Sequence, residues 1–145
     1  MVAALRAGHM RARYSGQTGS GEVAAALMMP YIAGLEAAGW SLSALRAELS
    51  PPAEASREAV AVVTALGAGS PPWLRPPAWL VGLVLRLLPR LTPFDLARYL
   101  RVHFTKVAAQ TRLMLDGWIA EGESHQLPVT RLRKLRRALP TEVTP

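Results

Sequence analysis

Three polar side chains at helical spacing offer the clearest chemistry in the sequence. His103, Lys106 and Gln110 follow Tyr99 along the edge of an apolar helical face. A lysine ammonium contacts anions, an imidazole donates a proton near neutral pH, and an amide hydrogen-bonds to a polar substrate. We therefore take Lys106, His103 and Gln110 as candidate residues for binding an anionic substrate. The alternatives are a solvated lysine whose stem covers the core, and a half-buried structural histidine.

One long helix is predicted to position these side chains. Thr92 can serve as its N-cap, Pro93 as its first residue, and Asp95 as an acid that bonds back to the cap. Gly122 and then Pro128 mark its end. At about 100° per residue, one arc faces the core and contains Leu96, Leu100, Phe104, Val107, Thr111, Met114 and Trp118. Three charged residues are expected on the opposite, solvent side, namely Arg101, Arg112 and Asp116.

The composition indicates one globular domain without cysteine chemistry. Of 145 residues, 50% are hydrophobic and 19% are charged, which is enough apolar material for a modest core. The absence of cysteine excludes disulfides, thiolate metal sites and a cysteine nucleophile. The three histidines are too scattered in sequence to predict a metal site, so no metal is expected. Arg6, Arg11 and Arg13 interrupt the apolar run that a signal peptide requires, so a cytoplasmic location is expected.

A strongly apolar segment occupies residues 78–88. It is shorter than the ~20 residues needed to cross a bilayer, it contains Arg86, and it lies between Pro77 and Pro89. A buried helix is the expectation, and a helix that lies at a membrane or protein interface is the alternative.

Positive charge, which amounts to a net +7 for the chain, is concentrated in the last predicted helix. Its basic residues are Arg131, Arg133, Lys134, Arg136 and Arg137. Thr130 is a potential cap and Pro140 ends the helix. A packed terminal helix with a solvated basic face is expected, because an apolar edge is formed by Leu132, Leu135 and Leu139. The alternative is a basic helical module that binds nucleic acid, an anionic membrane or a protein partner.

The N-terminal segment differs from the rest of the chain. Alternation in residues 2–14 predicts a short β-hairpin, and residues 15–21 have the composition of a loop. The glycines from Gly19 match a dinucleotide-binding turn only loosely, because no buried strand precedes them. These residues are therefore predicted to lead into a helix without binding a cofactor.

Two further helices are expected in the first half of the chain. One spans residues 22–38, with Pro30 kinking or dividing it and Gly39 stopping it. A short turn capped by Ser41 follows, and the second helix spans residues 53–66. Its buried face and its closing glycine are predicted to be Ala55, Ala59, Val62, Val63, Leu66 and Gly67.

Several runs of residues occur in a familiar order. They are Arg57-Glu58-Ala59-Val60-Ala61-Val62, Leu66-Gly67, His103-Phe104-Thr105-Lys106-Val107 with Gln110-Thr111, Glu121-Gly122, and Leu127-Pro128-Val129. Over residues 22–139 this order resembles the C-terminal helical domain of the ketopantoate reductase (2-dehydropantoate 2-reductase) family. The resemblance implies a mainly α fold, a multi-helical domain of the 6-phosphogluconate-dehydrogenase-like type with a short N-terminal β-hairpin. It also implies that residues 1–40 are the trailing hairpin and helix of a nucleotide-binding domain, and that residues 41–145 are the helical domain.

By this resemblance, the full-length relatives are NADP-dependent oxidoreductases. They reduce an α-keto acid with NADPH, and pantoate formation in pantothenate biosynthesis is the model reaction. Their Rossmann domain holds NADP, while their helical domain supplies a lysine, an asparagine, a serine and a glutamate. Hydride delivery builds charge on the ketone oxygen, which a donor must stabilise, and polar groups hold the carboxylate of the anionic substrate.

The chain departs from that pattern at the catalytic positions. Gln110 stands where the family has glutamate, residues 98–103 contain no serine, and residues 41–50 contain neither lysine nor asparagine. By the resemblance, the cofactor domain is expected to be missing apart from its trailing hairpin. The resemblance therefore implies a truncated relative that is inactive alone and binds no cofactor itself. Its expected partner is a separate nucleotide-binding domain or a second copy, and neither nucleic acid nor a membrane is expected.

Overall fold

The computed structural model describes residues 19–69, 76–106 and 108–141. The expected mainly α class is confirmed for these residues, and no strand is found among them. In chain order, the helices are α1 (Gly19–Ala37), α2 (Leu42–Ala47), α3 (Ser50–Ala65), α4 (Ala78–Leu91), α5 (Leu96–Thr105), α6 (Ala108–Ser124) and α7 (Thr130–Ala138). The hairpin expected at residues 2–14 lies outside the described residues. The finer assignment to a 6-phosphogluconate-dehydrogenase-like domain stays a prediction.

Four helices enclose the core. α3 packs along α1 and against α6 and α7, and small side chains let these helices approach closely. At Gly34 on α1, an added Cβ would lie 3.0 Å from Pro52 Cβ and 3.2 Å from Leu45 Cδ1. The hydroxyl of Ser56 donates to the Leu27 carbonyl at 2.9 Å and so ties α3 to α1. The buried core is built mainly from Val23, Ala26, Ala33, Ala55, Ala59, Val62, Val63, Leu115, Leu132 and Leu135.

The ends of α1 and α3 agree with the sequence prediction. Gly39 has φ +64° and Gly67 has φ +99°, a left-handed region that glycine adopts without steric cost. Ser41 caps α2 as predicted, because its hydroxyl oxygen accepts from the Ala44 N–H at 3.2 Å. These boundaries were predictable because each depends on one residue and its neighbours in sequence.

Three local predictions for this half of the chain are wrong, namely the start of α1, the start of α3 and the burial of Leu66. α1 begins at Gly19, so the glycines there are helical instead of forming a loop. Pro30 lies fully buried inside α1 and does not divide it, and the expected alternative, a kink at Pro30, stays a prediction. α3 begins at Ser50, since two prolines fit the first turn of a helix, where a missing N–H loses no hydrogen bond. Leu66 is exposed because it lies just beyond the last helical residue of α3.

The single long helix predicted from Pro93 onward is two helices. Thr92 is the C-cap of α4, where its hydroxyl donates to the Leu88 carbonyl at 3.1 Å. Asp95 is the N-cap of α5 instead, and its carboxylate accepts from the Arg98 N–H at 3.1 Å. A carboxylate is a strong acceptor at the positive end of a helix, so it defines the start of α5.

The described residues of the predicted apolar stripe are all buried or half-buried. Within the predicted stripe, Leu96 and Thr111 are buried, and Val107 lies outside the described residues. The others are half-buried, namely Leu100, Phe104, Met114 and Trp118. Leu115, which the stripe did not include, is fully buried, and at about 100° per residue it lies only about 20° beyond the edge of the predicted arc.

Candidate functional site

The three candidate substrate-binding residues lie at the junction of α5 and α6. His103 is in the last turn of α5, Lys106 is the C-cap of that helix, and Gln110 is in the first turn of α6. All three side chains are exposed. The His103 ring stacks on Tyr99 with centroids 5.9 Å apart, and it meets Phe104 edge-on at 5.1 Å. The junction therefore presents an ammonium, an imidazole and an amide to solvent beside aromatic rings.

The sequence-based prediction for Arg112 is wrong. It was expected on the solvent side, but it is 8% exposed and pairs with Glu36 on α1. Its Nη2 lies 2.7 Å from Glu36 Oε1 and 2.8 Å from the Pro140 carbonyl oxygen, while Nη1 lies 3.1 Å from the Ala108 carbonyl oxygen. Arg112 follows the buried Thr111 and lies on the side of α6 that faces α1. The available signal was Glu36, an acid in an apolar stretch of α1 that needs a buried partner.

A groove of about 560 Å³ runs between α6 and the end of α7. Arg112, Arg136 and Arg137 line it together with Asp116. Arg136 Nε and Nη2 lie 2.9 and 3.1 Å from the two carboxylate oxygens of Asp116. Two of the three guanidinium groups in this groove are therefore already paired with acids, which leaves little net charge to attract an anion.

The basic face of α7 is largely paired with acids of other helices. Arg131 Nε lies 3.0 Å from Glu54 Oε2, Arg133 pairs with Glu123, and Arg136 pairs with Asp116. A nucleic-acid phosphate would have to displace these acids before it could bind the same guanidinium groups. The predicted packing of this helix is confirmed by the burial of Leu132, Leu135 and Leu139.

A carboxylate from another helix caps α7. Thr130, the cap predicted from sequence, is the first residue of the helix and makes no capping hydrogen bond in the structure. Glu58 Oε2 on α3 instead accepts the backbone N–H groups of Arg131 and Leu132, each at 2.9 Å. The carboxylate satisfies two N–H groups that lack partners within the helix and meets the positive end of its dipole. This contact joins α3 to the start of α7.

Gly122 lies where α3, α6 and the start of α7 come closest. An added Cβ on Gly122 would overlap Val129 Cγ1 and would lie 3.0 Å from Val62 Cγ2. Only glycine therefore fits this position with its present neighbours. Gly122, Val129, Val62 and Glu58 all belong to the runs of residues that carry the family resemblance. We call this place, where these four residues meet, the α3–α6–α7 junction.

A second group of arginines surrounds a groove between α2, α4 and α5. Arg46 of α2 and Arg86 and Arg90 of α4 line this groove, which has a volume of about 490 Å³. We call these three residues the arginine cluster. Within the described residues, no acid lies at ion-pair distance from any of them. No local sequence pattern predicts the cluster, because α2 and α4 meet only in the folded chain.

Another groove, of about 440 Å³, lies between α1, α3 and the residues before α4. Tyr31 and Arg57 both line it. Burial raises the pKa of the Tyr31 phenol, and the positive charge of Arg57 lowers it in part. The Tyr31 phenol is therefore uncharged at neutral pH in the folded protein and keeps its O–H donor.

Comparisons of this chain with protein-family models, with curated proteins and with solved structures give no match. In the part of the chain that the structure describes, no helix combines the length and the apolar composition needed to span a membrane. Those same residues contain no cluster of three or more side chains that could hold a metal ion. Function is therefore inferred from the residues and contacts described above.

Proposed function

We propose that this chain is the helical, substrate-side domain of a ketopantoate reductase-like oxidoreductase, and that it contributes to keto acid reduction only together with a nucleotide-binding domain. The observation that carries the proposal is the α3–α6–α7 junction. Three runs that resemble the family, around Glu58, Gly122 and Val129, supply its contacts. These runs are distant in sequence but contact one another in the structure, so the resemblance covers residues that pack together as a unit. Single matching residues scattered over the structure would not pack together in this way.

In this proposal, the exposed junction of α5 and α6 faces the substrate. Lys106 holds the carboxylate of the keto acid through a charge-assisted hydrogen bond, and His103 donates to the ketone oxygen. Gln110 hydrogen-bonds to the substrate but cannot transfer a proton, because an amide does not titrate. Their exposure suits a surface that a second domain covers when the two parts close on a substrate.

The described residues do not fit NADP, the cofactor that the resemblance implies for full-length relatives. A dinucleotide is held where a strand of a parallel sheet turns through glycines into a helix. Residues 19–69, 76–106 and 108–141 contain helices but no strand. No step that involves the nicotinamide is therefore assigned to this chain.

A reconstitution experiment tests the proposal. The chain is mixed with a separately expressed nucleotide-binding domain of the ketopantoate reductase family, and NADPH oxidation with ketopantoate is followed by absorbance. We expect no turnover by either part alone and measurable turnover by the mixture. Turnover or tight NADPH binding by the chain alone would contradict the proposal, and so would a mixture that is no more active than the nucleotide-binding domain.

The two lysines of the chain provide a matched pair of variants for that assay. Lys106→Ala should raise the KM for the keto acid by about 10- to 100-fold, which corresponds to the loss of a hydrogen bond to a charged group. Lys134→Ala, on the exposed side of α7, should leave the KM unchanged. Equal effects of the two substitutions would show that Lys106 does not contact the substrate.

A further inference from the structure

α4 is exposed along one whole side, so the expectation that this apolar helix is buried is wrong. Among the described helices, its substantial contact is with the short helix α2. The side of α4 that is half-buried contains Val81, Gly82, Leu85 and Leu88. On the outer side, Trp79 is 69% exposed and Leu91 is 77% exposed. The other exposed apolar residues of this helix are Leu80, Leu83, Val84 and Leu87.

These six exposed residues form one continuous surface. At about 100° per residue, they cover an arc of about 140° on one side of α4, which we call the apolar face. Arg86 lies just outside one end of that arc, next to Trp79, and Arg90 lies just inside the same end, between Trp79 and Leu83. Arg46 from α2 lines the same shallow groove as Trp79 and Arg86, so the whole arginine cluster borders this edge. α4 itself contains no acidic residue.

A basic edge beside an apolar face matches an anionic lipid surface. Leucine and valine side chains enter the boundary of the acyl chains, while arginine and tryptophan side chains stay at the level of the headgroups. A helix that lies in the plane of the membrane does not need the length of a spanning helix. We propose that α4 lies flat on an anionic membrane, with its apolar face inserted and the arginine cluster on the lipid phosphates.

A second copy of the chain matches this surface less well. A symmetric contact through the apolar face would bring two arginine clusters close together, and α4 offers no acid to pair with them. Burying unpaired guanidinium groups in such an interface opposes association. Lipid phosphates supply negative charge beyond that of Asp95, the acid that lines the groove with the arginine cluster, and the arginines remain hydrated while they contact the phosphates.

Flotation of the full chain with lipid vesicles tests this inference. We expect the chain to float with vesicles of phosphatidylcholine and phosphatidylglycerol, to remain behind with phosphatidylcholine alone, and to bind more weakly as salt increases. The Leu83→Glu/Leu87→Glu variant should lose binding to the anionic vesicles. Leu113→Glu is the matched control, because Leu113 on α6 is 74% exposed and lies outside the apolar face. Arg86→Gln/Arg90→Gln should bind on the order of 30-fold more weakly.

The outcomes separate lipid binding from its alternatives. These positions are exposed, so each variant should keep the helical circular dichroism spectrum of the unchanged chain. Failure to float with anionic vesicles would overturn the inference, as would a Leu83→Glu/Leu87→Glu variant that floats like Leu113→Glu.

Sedimentation without vesicles gives a second readout. A dimer that the double glutamate variant converts to a monomer would assign the apolar face to a second copy and would also overturn it. The assay contains neither NADPH nor keto acid, so its result is independent of the reconstitution experiment.

Discussion

The buried ion pair between Arg112 and Glu36 allows a quantitative test of the fold. Glu36→Gln keeps the shape of the side chain and removes the charge that pairs with the guanidinium. Removing one partner of a buried pair costs about 3–5 kcal/mol, because the attraction within the pair offsets part of the desolvation of the remaining charge. The carbonyl oxygens of Ala108 and Pro140 still accept hydrogen bonds from Arg112 in this variant. We therefore expect a loss near the lower end of that range, about 3 kcal/mol.

Urea unfolding followed by circular dichroism measures this loss. The free energy of unfolding falls by about 1–3 kcal/mol for each molar of urea, so a loss of about 3 kcal/mol lowers the unfolding midpoint by about 1–3 M. The same loss changes the ratio of folded to unfolded chains by on the order of 100-fold. A shift of this size is far larger than the uncertainty of the measurement.

Asp116→Asn is the matched control, because it removes the acid of an exposed pair with Arg136 that has similar two-pronged geometry. Exposed pairs contribute about 0–1 kcal/mol, so this variant should unfold close to the unchanged chain. Equal losses from Asp116→Asn and Glu36→Gln would refute the reasoning, since the contact between α1 and α6 would then not bury a charge. Replacement of both Glu36 and Arg112 by methionine should recover much of the loss, because both desolvated charges are removed together.

Further substitutions test the α3–α6–α7 junction and the half-buried phenol of Tyr31. Gly122→Ala should destabilise the protein by about 1–3 kcal/mol because its methyl group overlaps Val129. In urea unfolding, the Gly122→Ala/Val129→Ala variant should lose less stability than the two single changes combined, and strict additivity would argue against this contact. Glu58→Ala should cost about 0.5–2 kcal/mol, as the loss of an N-cap does. Glu58→Gln keeps an acceptor oxygen and should cost less in the same assay, so equal losses would contradict the capping role. Burial raises the pKa of Tyr31, so the unfolded chain ionises this phenol first, and the protein should lose stability as the pH rises through the ordinary value of about 10. Tyr31→Phe should flatten that alkaline decline in thermal unfolding, whereas Tyr99→Phe, at an exposed position, should not.

Features that depend on neighbours in sequence were predictable from the sequence. Gly39 and Gly67 end helices because glycine adopts a positive φ at little cost, and Ser41 caps α2 because its hydroxyl reaches the backbone three residues later. The burial of Leu132 and Leu135 followed from their helical spacing. Each of these signals lies within one turn of the residue that it describes.

Features that depend on contacts between distant helices were missed. The burial of Arg112 depends on its contacts with Glu36 on α1 and with the Pro140 carbonyl oxygen, and periodicity within one helix does not reveal such distant partners. The cap of α7 comes from Glu58 on another helix, so the nearer Thr130 was a plausible but wrong choice. The exposure of α4 was missed for a related reason. An apolar sequence indicates that burial of the helix is favourable, but it does not indicate which element, if any, covers it.

The residues that carry the family resemblance and the residues that could carry chemistry lie in different parts of the structure. Gly122 has no room for a side chain because Val129 and Val62 pack against it, and a chain with this helix arrangement needs that glycine whatever its activity. Lys106 and Gln110 are exposed, so packing does not fix them, and Gln110 already differs from the glutamate of the family pattern. The resemblance therefore supports the helical framework more strongly than it supports catalysis. A chain that fails in the reconstitution assay but binds anionic vesicles would contradict the proposed function and support the proposed role of α4.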